Sequence, residues 1–188
     1  MPKRFSKNDW LDFGLEILAR AGPSAIRIDS LCGRAGRTKG SFYHHFKSRE
    51  DFVAALLAHW EQELTQSVID QAEQFASPVE RLIALNRLTE DISSGADGGI
   101  ERQLRRWAGS DVMVQAAIEA VDKRRTDYVA SLLMQAKDIT SQQAIDLAVM
   151  NYASLIGFQQ MFTPIDLERR RRIDRIYVDI LNTLPDHK

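Results

Sequence analysis

The sequence predicts an all-α protein with about nine helices, and two observations carry that prediction. Apolar residues recur at three- and four-residue spacing, the period of one helix face, along nearly the whole chain. The breaks that hold Gly and Pro are short, and stretches alternating apolar with polar residues in the manner of a strand are scarce.

The elements follow in order. Trp10, Phe13, Ile17, Leu18 and Ala21 share one face of a first helix, and Gly22-Pro23 ends it by joining an unrestricted backbone position to one without an N–H. Two short helices are expected next, roughly Asp29 to Ala35 and Lys39 to His45, with Gly36 between them. Glycine takes a left-handed conformation cheaply, so one helix can stop there and the next begin at once, with Thr38 as its cap. Ser48, followed by Glu50 and Asp51, opens a fourth helix that carries Phe52, Leu56, Trp60, Leu64 and Val68. Ser77-Pro78 with Glu80 has the form of a capping box with Pro at the first helical position. It precedes a face of Leu82, Leu85, Leu88 and Ile92, and later faces hold Val121, Tyr128, Leu132 and Leu133, then Ile173, Ile176, Ile180 and Leu184.

Composition narrows the class. At 188 residues and 44% hydrophobic the chain is long enough for one ordinary domain, or for a small module that shares its core with a larger one. The stretch around Leu147 to Phe158 is interrupted by Asn151, Ser154 and Gly157 and falls short of the roughly 20 apolar residues a bilayer needs, so no membrane partner is expected. The first residues pass directly into an amphipathic pattern with no apolar core, which predicts no secretory signal and a cytoplasmic protein. Cys32 is alone, so neither an intrachain disulfide nor a cysteine-built zinc site is expected. The net charge of −1 hides an uneven distribution: through Arg49 ten basic residues face four acidic ones, a balance of +6 that leaves −7 for the rest. A basic quarter on an acidic body is the electrostatic footprint of a small DNA-reading head.

Chemistry concentrates inside that basic quarter. A short helix after a tight turn offers its N-terminal amides to phosphate while its side chains enter the major groove. Thr38, Lys39 and Ser41 stand at its start, with Tyr43, His44, His45 and Lys47 after them. Lysine reaches the acceptors of guanine, and hydroxyl and imidazole groups suit phosphate oxygens. Gly40 is a poor helix former and makes sense where backbone comes close to DNA. Phe42 and Phe46, four apart, are expected to pack inward. For Tyr43, His44 and His45 an ordinary exposed helix face is an equal alternative.

The string Ala35-Gly-Arg-Thr-Lys-Gly-Ser-Phe-Tyr-His-His-Phe-Lys-Ser-Arg-Glu-Asp-Phe-Val-Ala-Ala-Leu56 resembles the tetracycline-repressor (TetR) family of bacterial regulators. The likeness lies in an alanine-glycine turn, a lysine-glycine helix start, a tyrosine-x-histidine-phenylalanine end and the helix that follows. The resemblance implies a three-helix DNA-binding domain over residues 1–47 and a helical regulatory and dimerisation domain over 48–188. Matching position by position, it implies base contacts at Thr38, Lys39, Gly40 and Ser41, and phosphate contacts at Tyr43, His45 and Arg49, with Lys3 and Arg4 ahead of the first helix. Two residues depart from the pattern. Arg37 stands where the family more often has a small aliphatic residue, and Arg27 where it often has a hydroxyl; both add charge near DNA and are read as contacts to it.

The body is less explicit. The segments 142–162 and 167–184 are the candidates for pairing two subunits, the first through Ala144, Ala148, Ala153 and Gly157, the second through Ile173, Ile176, Tyr177 and Ile180. A homodimer follows mainly from the resemblance, as does a palindromic double-stranded DNA operator. A cavity for a small-molecule effector is expected among Trp60, Leu64, Leu88, Trp107, Met113, Met134 and Phe162, although core packing is an alternative for each. Arg102, Arg105 and Arg106 suit either an anionic ligand or a solvated face. No catalytic residue, metal site or cofactor is expected: none of the four histidines has a Glu three residues before it, and neither a zinc His-Glu-x-x-His pattern nor a P-loop occurs. The reading is a regulator, most simply a repressor released by a ligand. A DNA-bound adaptor acting through a protein partner is the alternative, and an all-α enzyme the more remote one.

Overall fold

The computed structural model describes residues 5–94, 97–161 and 166–187. Among them every regular element is helical, apart from an isolated antiparallel bridge between Lys137 and Asp186. The helices are α1 (Lys7–Ala21), α2 (Ile28–Ala35), α3 (Lys39–Tyr43), α4 (Arg49–Glu61), α5 (Ser67–Ala72), α6 (Pro78–Ser94), α7 (Asp97–Ala108), α8 (Val112–Ala136), α9 (Ser141–Gln160) and α10 (Leu167–Asn182). A π-helical turn over Gln62–Gln66 runs α4 into α5. The chain packs as two compact units, Met1–Gln66 with Ile92–Glu119, and Ser67–Asp91 with Ala120–Lys188. Packing therefore draws α4 and α7 into the same unit as the three N-terminal helices.

The first unit shows why its short helices hold. Ser6 caps α1 in a reciprocal box: its Oγ accepts from the Asp9 N–H at 3.1 Å, and Asp9 Oδ2 accepts from the Ser6 N–H at 2.7 Å. Gly22 ends α1 at a φ of 73° and gives way to a 3-10 turn over Pro23–Ala25. α3 is only five residues long, too short to be stable alone; His44 and His45 follow it in a turn rather than extending it as expected. Tertiary packing supplies what length does not. Phe42 and Phe46 are fully buried in an aromatic cluster, with Phe42 5.4 Å from Trp10 and 5.3 Å from Phe52, and Phe46 4.9 Å from Phe52. At Gly14 an added methyl would come within 2.7 Å of Phe52 Cζ, so this glycine is what lets α1 and α4 approach.

The second unit is built on Ala130, Leu133, Ala144, Ala148 and Leu181, with Leu82, Leu147 and Tyr177 packed against them. Ser77 and Glu80 form the expected reciprocal cap of α6, at 3.1 and 3.2 Å. The chain end folds back on the α8–α9 connection: the Asp138 N–H donates to the Pro185 carbonyl at 2.8 Å, and Lys137 Nζ donates to Asp186 Oδ1 at 2.6 Å.

Candidate functional site

Gly36 makes the turn of the motif. At φ 61° and ψ 36° it is left-handed, its N–H reaches the Gly33 carbonyl at 3.3 Å, and the following Arg37 N–H reaches Cys32 at 2.9 Å. Those two bonds form a Schellman cap, which satisfies the last carbonyls of α2 and swings the chain into α3. Thr38 then caps α3, its hydroxyl oxygen accepting from the Ser41 N–H at 3.2 Å.

The structure exposes most of the expected contact residues. Arg27, Thr38, Lys39, Gly40, Tyr43, His44 and Lys47 are exposed, while Arg37, Ser41, His45 and Arg49 are half-buried. Nothing in the protein crowds Gly40, since an added methyl would meet only Thr38 Oγ1, 3.7 Å away. Its lack of a side chain is therefore not explained by internal packing. An open groove of about 410 Å³ gathers Arg27, Lys39, Tyr43 and Arg49, together with Asp29.

Several of these side chains already have partners. Lys39 Nζ stands 2.6 Å from Asp29 Oδ1, and that hydrogen bond holds the lysine's pKa above its ordinary value. Asp29 is a residue the sequence reading missed, because an acid in the first turn of a helix reads as an ordinary response to the helix dipole. Arg49 donates from Nε to the Ile26 carbonyl at 2.8 Å and lies over Trp107 at 5.6 Å. His45 Nε2 is 3.0 Å from the Phe5 carbonyl, and Arg37 lies over the Phe5 ring at 5.1 Å. The arginine in the turn thus stacks on an aromatic ring where an aliphatic side chain would pack. Arg27 donates to the Ser24 carbonyl at 2.9 Å and gives α2 no side-chain cap. Cys32 is buried, and desolvation, reinforced by Asp29, pushes its thiol pKa up. Lys3 and Arg4 lie outside the described residues.

Residues 11–56, the span of α1 through most of α4, match the family described as bacterial regulatory proteins, tetR family. Through this segment the chain is similar to the tetR family. Beside it, the chain is 34% identical over 80 residues to the transcriptional regulator AcuR of Cereibacter sphaeroides, spanning 42% of this chain and 36% of that protein. It is 32% identical over 79 residues to the transcriptional repressor KstR2 of Mycobacterium tuberculosis, spanning 42% of this chain and 40% of that one. The tetR likeness in sequence thus covers well under half of these relatives' length. In fold it goes further: a regulator assigned to the TetR family from Rhodococcus sp. superposes with a TM-score of 0.77 over 93% of this chain and 97% of its own, at 16% identity.

The residues expected around a ligand lie outside the tetR-like segment. Trp60 and Trp107 are buried in the core of the first unit, to which Leu64 and Met113 also belong. Met113 and Met134 are exposed. Leu88 lines a shallow groove of the second unit with Phe75, Ile83 and Arg87. Phe162 lies outside the described residues. Aromatic and apolar residues at helical spacing are consumed first by core packing, and spacing alone cannot tell a core face from a cavity face. Of the basic stretch, Arg105 pairs with the buried Glu101 at 3.1 Å, while Arg102 and Arg106 are exposed. A more enclosed cavity of about 240 Å³ does occur in the second unit, among α6, α8, α9 and α10. Its wall includes Leu82, Leu133 and Tyr177, none of which the sequence reading assigned to a ligand.

Among the described residues no helix is long and apolar enough to cross a membrane.

Proposed function

We propose that this chain is a sequence-specific DNA-binding transcriptional regulator, a homodimeric cytoplasmic repressor that a small molecule releases from a palindromic operator. The observation that carries the reading is α3: a five-residue helix capped by Thr38, anchored by Phe42 and Phe46, with Lys39, Gly40, Tyr43 and His44 turned outward. Such an element contributes little to its own stability, and its exposed residues are the types that meet base edges and phosphates. Residues 1–47 are proposed as the segment that reads DNA, with Ser41 among the base contacts and Arg27, Arg37, His45, Lys47 and Arg49 contributing contacts to the backbone around it.

Pairing is proposed through α9 and α10. Ile145, Val149 and Met150 are exposed on α9, and Ile176 and Ile180 on α10. Ala144, Ala148 and Tyr177 take no part in this face, because they pack inside their own unit. A two-fold dimer would set two α3 helices about 34 Å apart, or a multiple of it, to enter successive major grooves. Effector binding then acts by favouring an arrangement with a different spacing, which requires unequal affinity for the two arrangements. This is a binding switch rather than an enzyme.

The test is selection of bound DNA from a random pool, followed by titration of the selected site by fluorescence anisotropy. The double variant Lys39→Ala, Tyr43→Ala is expected to weaken binding by a few kcal/mol, at about 1–3 per contact, with an unchanged circular dichroism spectrum. Undiminished affinity in that variant would remove α3 as the reading element, and a pool that yields no preferred sequence would remove specific DNA binding altogether.

A further inference from the structure

The enclosed cavity of the second unit has a wall whose polar groups can be accounted for one by one. Val79, Leu82, Val129, Leu133 and Leu181 make it chiefly apolar. Tyr177 also lines it, but its hydroxyl donates to the Leu147 carbonyl at 3.1 Å, and burial pushes its pKa up to about 12, so it stays neutral. Lys137 is the one cation on the wall, and its ammonium is matched by Asp186 at 2.6 Å and sits 3.4 Å from the Leu184 carbonyl. What remains is three primary amides, Asn86 from α6, Asn151 from α9 and Asn182 from α10. None of the three makes a side-chain hydrogen bond among the described residues. Each offers both a donor and an acceptor.

We infer that this cavity binds an uncharged, mostly apolar small molecule of about ten non-hydrogen atoms that carries an amide, carbonyl or hydroxyl group. As the effector site of the regulator it rests on the function proposed above; as a binding site it stands on the wall alone. Size follows from volume: an apolar cavity of about 150 Å³ holds benzene, so 240 Å³ holds about ten heavy atoms of similar packing. Neutrality follows from Lys137, whose charge is already matched within the fold, so a carboxylate entering the cavity would gain no unpaired cation and would lose its hydration. A polar group on the ligand follows from the half-buried amides of Asn86 and Asn151, which a purely apolar guest would strip of water without replacing its hydrogen bonds, while the exposed Asn182 keeps its water.

The experiment uses three probes of nearly equal size, 3-phenylpropanamide, 3-phenylpropanoate and 3-phenylpropylammonium, titrated calorimetrically into the full chain. The amide is expected to bind at least tenfold more tightly than either ion. Asn151→Ala and Asn86→Ala are each expected to lose about 3- to 10-fold in amide affinity, the usual worth of one neutral hydrogen bond. Asp186→Asn, which uncovers the Lys137 charge, is expected to raise propanoate affinity at least to that of the amide. Tighter binding of either ion by the unaltered chain, no heat from any probe at millimolar concentration, or unchanged amide affinity in both alanine variants would overturn the assignment. The three-probe comparison needs no variant, so a misfolded one does not leave the matter open. DNA anisotropy on the same samples separates the two readings. Probe binding without DNA binding sinks the regulator and keeps the cavity; DNA binding without probe binding does the reverse.

Discussion

Lys39 is both the leading candidate for reading DNA and a residue with a partner of its own. Its ammonium lies 2.6 Å from the Asp29 carboxylate, yet both side chains are largely exposed, at 60% and 78%. An exposed pair of this kind is screened by solvent and contributes little to stability. Its consequence is competitive instead: DNA must draw the lysine away from Asp29 or tolerate a carboxylate beside its phosphates. Asp29→Asn should therefore tighten binding to random-sequence DNA a few-fold at low ionic strength, and the gain should shrink as salt screens the exposed charges. Anisotropy titrations at two salt concentrations measure this, and an affinity equal to the unaltered protein's at low salt would show that Lys39 takes no part in the contact. The pair was hidden from sequence reading because its members stand ten positions apart on two helices, with the Gly36 turn between them.

At the scale of the element, the two glycines of the motif do different things although each reads as a helix breaker. Gly36 is left-handed, and an added methyl there meets nothing within 4 Å, so Gly36→Ala should cost about 1 kcal/mol through backbone strain alone. Gly40 sits in the first turn of α3 with ordinary helical backbone and open space around it. Gly40→Ala should leave thermal stability unchanged or raise it by up to about 1 kcal/mol, while weakening DNA binding at least tenfold. Denaturant melts and anisotropy on both variants check the contrast. A Gly40→Ala protein that binds DNA normally would mean that no backbone approach occurs there. The caps at Thr38, Ser48 and Ser77 were legible here because each bonds to a residue three positions ahead, a purely local relation; Ser6, Thr140 and Asp166 cap in the same way and were not read from the sequence. The end of α3 was not legible: His44 and His45 continue its period, but His45 turns to meet the Phe5 carbonyl, forty residues away in sequence.

For the whole molecule, what matters is which apolar faces the chain leaves uncovered. Within one subunit Ala144, Ala148 and Leu181 are buried, and Ile145, Val149, Ile176 and Ile180 are not. Ile176→Asp combined with Ile180→Asp should convert a dimer into a folded monomer, seen by sedimentation, and weaken binding to a palindromic site by at least tenfold through loss of the second head. A double variant that sediments as a dimer would place the interface elsewhere. The sequence by itself determined the all-α class, the order of the first four helices and the place of the glycine turn proposed to present α3 to DNA. These depend on the helical period, on caps three residues apart and on one glycine turn, all properties of neighbouring residues. Tertiary structure alone decided that α4 and α7 complete the core of the first unit, that Asp29 meets Lys39, and that Asn86, Asn151 and Asn182 share a cavity wall. Those relations join residues far apart in the chain, and a face of apolar residues looks the same in sequence whether it closes on a core, a ligand or a second subunit.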